Sequence, residues 1–438
     1  MAEITTREIS QASVTVKDAP LLNSEIDNNF INLNVEVITA TANLSAYVLS
    51  NPNLETYLTW DSSTDVYETN FAGETDIHRN MKRCLLLDNG TVNYYLDPGN
   101  SNFKANGDPS VLTGEDGQVM VEIPKFYTKK AKIGNKNFWH ISSTLIPGYT
   151  LHPAFVKDGI EVNYRYIGAY NACVYDTSGS TYISGLNLDD ASALLDTAAD
   201  KLSSVAGIYP MVGATLPQFR LMASNRGAGW RQLDFWLVSA VQMLYLLEFR
   251  NFNSQANLGT GNTNGSYLAT SAVQTDSPHT IAGASNALGN NSTNIYTGVG
   301  ISANPGTSFM SYRGIENFFG NCWNAVDGIN INNRVPYVSN TVPFVSDTVA
   351  GYTQLTDSLS TTNGYQTNLK DLNGAFLPSS IGGSSTTYIT DYYYTASGWC
   401  VVFFGGSATA GAAAGAFAWD CSTASSDRRR TFGSRLAF

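Results

Sequence analysis

The chain has 438 residues, a formal net charge of −11 and 14% charged side chains, against the usual quarter. That acidic balance argues against nucleic acid as a partner, because phosphate binding needs a basic face. Hydrophobic residues make up 43%, enough for a sizeable core in about two or three domains, and the abundant Asn, Ser, Thr, Gly and Tyr suit hydrogen bonding to sugars or to adaptable protein surfaces.

In chain order, the first eight residues, Met1 to Glu8, hold no apolar signal core. No run of about 18 apolar residues follows, so no membrane insertion is expected. Ile26, Phe30, Leu33, Val37, Ala40, Leu44 and Tyr47 then recur at steps of four and three, the period of a coiled-coil seam. Ser24 is placed to cap this helix, and Asn51-Pro52-Asn53 stops it. A helix of this length is marginal alone. The seam therefore predicts a partner, read as a parallel homotrimer joined through Ile26, Phe30, Leu33, Val37 and Leu44; the alternative is an amphipathic helix lying on its own domain.

From Leu54 to about Lys130 short strands are expected. Asp88-Asn89-Gly90 marks a hairpin between Cys84-Leu85-Leu86-Leu87 and Val92 to Leu96, and Gly117 to Pro124 reads as another strand. A second helix is predicted over Gln232 to Phe249. It is apolar nearly all round and so buried. The tract from Asn251 to Thr307 is rich in Gly, Asn, Ser and Thr and reads as loops. Beyond it, short aromatic strands alternate with polar turns to Phe438. The five cysteines, Cys84, Cys173, Cys322, Cys400 and Cys421, are odd in number and lack C-x-x-C spacing. They are expected to be buried free thiols.

Three stretches of the second half resemble a known family in order. Phe219-Arg220-Leu221 with the Trp236 helix, Arg313-Gly314-Ile315-Glu316-Asn317-Phe318-Phe319-Gly320-Asn321-Cys322-Trp323, and Gly405-Gly406-Ser407 with Phe432-Gly433-Ser434-Arg435-Leu436 are similar to the formylglycine-generating-enzyme (sulfatase-modifying-factor) type of C-type-lectin fold. The middle element looks closer still to a form common in phage tail proteins, and the final segment resembles retroelement-variable receptor-binding proteins. Pro20 to Asn34 resembles the opening segment of many tail-fibre proteins. Departures are Phe404 where the family has Arg before Gly-Gly, and Ala408 where it has Trp; the cysteine pair of the oxygen-using enzymes has no counterpart.

What the resemblance implies is a bacteriophage tail-fibre or tail-tip protein, carried on the virion and assembled in the host bacterial cytoplasm. Its expected fold is α+β: an N-terminal coiled-coil helix in an attachment segment (1–57), a small β-rich connector (58–119) and a C-terminal C-type-lectin-like domain (120–438). That domain would bind a host surface glycan or an outer-membrane protein, while the N-terminal segment would join other tail or baseplate proteins. The candidate receptor contacts are Ser407, Thr409, Ala410, Ala412, Ala413, Asp420, Ser422, Thr423, Asp427, Arg428, Arg429 and Arg430. The last three are the only basic run and suit an anionic group through the guanidinium fork. Trp399 and Tyr392-Tyr393-Tyr394 could instead rim a sugar site, and Arg435 reads as a structural, carbonyl-bonding arginine. No catalytic residue, metal or cofactor is expected: His78, His140, His152 and His279 are widely spaced, and the Asp327 to Asn333 loop lacks EF-hand spacing. A glycan-degrading tail enzyme and a structural connector without receptor contact are the alternatives.

Overall fold

Short alternating segments dominate the sequence, and strands dominate the fold. The computed structural model describes residues 55–71, 73–183, 188–265, 278–293, 308–370 and 374–438. It is 34% strand and 13% helix, and includes a curled β half-barrel. The expected α+β chain with a C-type-lectin-like domain is therefore corrected to a mostly β fold. The 58–119 segment, expected as a β-rich connector, shares its sheets with later strands. Lys82–Leu86 pairs antiparallel with Gln118–Pro124, which pairs with Tyr164–Gly168, and Leu436–Ala437 at the end of the chain joins the same sheet. Thr56–Phe438 forms one unit because these long-range pairings bury apolar residues from both sides of residue 119. The expected trimerising helix with Ile26, Phe30, Leu33, Val37 and Leu44 lies outside the described residues.

Local signals hold where they are strong. The Asp88-Asn89-Gly90 turn joins Lys82–Leu86 to Val92–Tyr95, with Gly90 at φ +81°, a left-handed conformation that glycine adopts without cost. The second helix runs from Phe235 to Phe249, and all but its last residue is buried, as an all-round apolar sequence requires. Asp234 caps it by accepting the Leu237 N–H at 3.0 Å, and the same carboxylate is paired with the buried Arg165. Gln232, expected to open the helix, lies instead in the short Arg231–Gln232 strand, which pairs with Leu436–Ala437.

Around this helix lie side chains from three sheets, among them Leu58, Val121, Val402 and Trp419. The first sheet is built on Thr56–Asp61 and Lys136–Ser142, and the second on Gln118–Pro124. The third orders Thr353–Gln354, Val335–Val338, Trp323–Asn332, Trp399–Phe404, Trp419–Thr423, Tyr392–Thr395, Gly364–Leu369 and Pro378–Ile381, and Phe432–Gly433 adds to Trp323–Asn324 in parallel. The Trp399–Phe404 and Trp419–Thr423 strands are antiparallel neighbours, and the loop between them carries the first part of the predicted binding segment.

Candidate binding surface

The frame of that loop is made by the motif residues, which turn out to be buried polar ties. Asn321, at φ +63°, accepts from the Asn262 side chain at 3.0 Å and the Thr280 N–H at 2.8 Å, and donates to Asn171 at 2.9 Å. Glu316 accepts the N–H groups of Gly283 (3.0 Å) and Ser285 (2.6 Å). Arg313 pairs with Glu248 at 2.7 Å and Glu74 at 2.6 Å. Arg435 is fully buried and donates to the carbonyls of Gly168 (2.8 Å), Glu316 (2.7 Å) and Asn317 (2.8 Å). Burial pulls its pKa down to about 10. Within the tract read as loops, the described residues Asn262, Thr263, Thr280 and Ser285 are buried.

Gly405 and Gly406 turn the chain out of the Trp399–Phe404 strand at φ +94° and +88°. A Cβ on Gly406 would meet the Ala414 Cβ at 2.5 Å, so the loop closes tightly on itself. Backbone bonds hold it from outside: Ala408 N–H to Asn321 O (2.8 Å) and Gly411 N–H to Thr263 O (2.8 Å). Gln255 donates to the carbonyls of Gly411 and Ala414 at 2.9 and 2.8 Å. Below, Ser254 Oγ accepts Ala416 N–H at 2.9 Å, and Asp391 accepts Phe417 N–H at 2.7 Å. Burial pushes the Asp391 carboxyl up to about 8. The loop is thus a rigid rim on which Thr409 and Ala412 are exposed.

Beside Ala412 lies a shallow cleft of about 260 Å³, lined further by Asn253, Gln255, Thr260, Ser385 and Thr390. None of these side chains carries a charge; they offer amides and hydroxyls only. Two residues beyond Thr390 begins a row of half-buried tyrosines. Tyr392 lies 5.0 Å from Tyr365 and 4.6 Å from Tyr394 between ring centroids. Alternation along the strand sends Tyr393 into the core. Trp399 is half-buried as well.

The other sequence candidates separate. Ala410 and Ala413 are half-buried on the same rim. Ser407, Asp420 and Thr423 are buried, at 3%, 7% and 1% exposure, and do not face solvent. Asp420 instead accepts the N–H (2.9 Å) and hydroxyl (2.6 Å) of the half-buried Ser422. Asp427, Arg428, Arg429 and Arg430 follow the Trp419–Thr423 strand and meet different neighbours. Arg428 pairs with Asp190 at 3.0 Å, Arg429 with Asp427 at 3.3 Å, and Arg430 lies 3.8 Å from Asp189. Three carboxylates offset three guanidinium groups, so the basic run offers little net attraction to an anion. Sequence reasoning missed Asn253, Gln255, Thr260, Ser385 and Thr390. Only their amide and hydroxyl chemistry was visible, because nothing local says that they converge on Ala412.

Other reactive groups are committed elsewhere. Asp234 and Asp327 sit opposite one another in a parallel bridge. The first is paired with Arg165, the second with Arg220 at 2.7 Å. Against the opposing effect of burial, the Arg165 and Arg231 guanidinium groups hold the Asp234 carboxyl below the usual carboxylate range. His78, His152 and His279 are buried, and desolvation holds each below the usual imidazole range. All five cysteines are buried and unbridged, as expected. Burial pushes Cys173 and Cys322 up to about 12. Among the described residues no group of three or more His, Cys, Asp or Glu is placed to hold a metal. A larger cleft of about 500 Å³ near Asp88, Tyr182 and Arg226 contains none of the predicted contacts. Comparison of the sequence with protein-family models and with curated proteins gives no match.

Proposed function

We propose that the chain is a bacteriophage tail-fibre or tail-tip protein that adsorbs to its host by holding a neutral surface glycan in reversible, non-covalent contact. The observation that carries this reading is the uncharged cleft at Ala412 and Thr390, bounded by a rigid loop and followed along the chain by the tyrosine row. Neutral sugars are recognised by hydroxyl and amide hydrogen bonds together with stacking on aromatic faces, and these are the groups the surface offers. The sequence resemblance to phage tail proteins supplies the setting: a virion-borne chain, trimeric through the Ile26 to Leu44 seam and joined by its N-terminal segment to other tail or baseplate proteins. Three copies acting together would raise a weak single-site affinity by about 10²–10⁴ where geometry permits.

The test is a pull-down of purified full-length protein on host surface polysaccharide across a salt series, with polymer length followed in the same samples. The expected result is retention that changes little with salt and polymer of unchanged length. Loss of retention with rising salt would point to an anionic receptor, and shortening of the polymer would point to the enzyme alternative.

A further inference from the structure

The cleft of about 500 Å³ is lined by Asp88, Glu115, Tyr175, Tyr182, Lys201 and Arg226, none of which borders the cleft at Ala412. One wall is a row of side chains across three strands. Tyr175, in Cys173–Asp176, pairs with Tyr182 of Thr181–Ile183 on one side and with Lys201 of Lys201–Ser203 on the other. Directly paired residues share one face of a sheet. The two tyrosine rings meet edge to face, 5.1 Å between centroids. Strands lie about 4.8 Å apart, so the row is about 10 Å long from Tyr182 to Lys201.

Its two ends carry opposite charges. At the Tyr182 end, Gly114 lies so close that a Cβ there would meet the tyrosine hydroxyl oxygen at 2.0 Å. The next residue, Glu115, is exposed. Burial pushes the Tyr182 hydroxyl up to about 12, and the Glu115 charge adds to the rise. Glu115 accepts the Thr113 hydroxyl at 2.6 Å, and among the described residues no cation pairs with it. At the other end, Arg226 is fully engaged with Asp88 (2.6 Å), the Leu202 carbonyl (2.9 Å) and Ser203 (2.6 Å). Lys201 is not. Its ammonium stands 3.7 Å from Asp88, beyond hydrogen-bond reach, and its side chain is 34% exposed. An ammonium has three donors to fill, so Lys201 can take a further anion where Glu115 can take a cation.

We infer that this cleft binds a small zwitterion, with its carboxylate or phosphate on Lys201, its ammonium at Glu115 and an apolar span across the Tyr175 ring. The tyrosine rings favour the cationic end through their negative faces. A ligand with one charge satisfies only one end of the row. The inference is independent of the glycan surface.

A suitable probe is 6-aminohexanoate, an ammonium and a carboxylate joined by a short apolar chain. Its binding to the full-length protein would be measured by calorimetry, beside hexanoate and hexylamine, which each lack one charge. It is expected to bind about tenfold more tightly than either, with affinity falling as salt rises. In the same series 6-aminohexyl phosphate separates the two anions: the tighter of the two zwitterions identifies the group that Lys201 prefers. Glu115→Gln and Lys201→Gln are each expected to lose about tenfold for 6-aminohexanoate, while the first leaves hexanoate binding unchanged and the second leaves hexylamine binding unchanged. Glu115 is exposed, so its variant keeps the wild-type melting temperature and decides the matter if the Lys201 variant fails to fold. Absence of binding by both zwitterions, equal affinity for hexanoate or hexylamine, or affinity unaltered in the folded variants would overturn the inference.

Discussion

Asp391 accepts the backbone N–H of Phe417 at 2.7 Å, joining the base of the 405–418 loop to the Tyr392–Thr395 strand through a fully buried carboxyl. Burial raises this group from an ordinary 3.8 to about 8. Between these values the folded chain holds more protons at this site than the unfolded chain. Its contribution to stability is therefore present below about pH 4 and lost as pH rises to about 8, by up to about 1.4 kcal/mol per pH unit. Asp391→Asn retains an oxygen acceptor for Phe417 and removes the titration. Urea denaturation at several pH values should give the variant a flatter profile than the wild type, with the gain largest near pH 8. Parallel profiles would contradict this account of the loop base.

Arg435 predicts a large packing effect. Replacing it with Met leaves the carbonyls of Gly168, Glu316 and Asn317 without their buried donor. At about 1–3 kcal/mol for each unsatisfied group, a loss of at least about 3 kcal/mol is expected. The denaturant midpoint measures it directly.

Gly406 is the tightest point of the rim, with φ +88° and Ala414 in the way of any Cβ. Gly406→Ala is expected to cost about 1–3 kcal/mol and to weaken glycan retention, because the loop must reopen. Thermal melting and the pull-down test the two halves of this expectation separately.

Arg428 and Arg430 have partly exposed side chains and lie beside Asp190 and Asp189. Pairs of this kind contribute about 0–1 kcal/mol. The double change to alanine should shift stability by no more than about 1 kcal/mol and leave host-cell binding within experimental error.

How far the sequence could be read follows the range of the interactions. The Asp88-Asn89-Gly90 hairpin and the Phe235–Phe249 helix depend on neighbours within a few residues, and both were legible. The fold class was not, because it depends on pairings such as Arg231 with Ala437 and Trp323 with Phe432, which local pattern does not encode. The same holds within the candidate site. Thr409, Ala412 and Arg429 are exposed as the loop reading suggested, whereas Asp420 and Thr423 are buried because the Trp419–Thr423 strand lies between two others. The positive run at Arg428 to Arg430 reads as an anion site in the sequence because two of its counter-charges, Asp190 and Asp189, lie more than two hundred residues earlier in the chain.

The most direct test of the central claim is equilibrium binding of purified full-length protein to host cells, comparing Ala412→Trp with the paired alanine change at Arg428 and Arg430. Ala412 is exposed on the cleft, so the tryptophan should fill it without unfolding the protein. The account predicts about a tenfold or greater loss of affinity for Ala412→Trp at an unchanged melting temperature, and none for the arginine pair. Full binding by Ala412→Trp, with loss confined to the arginine variant, would contradict it.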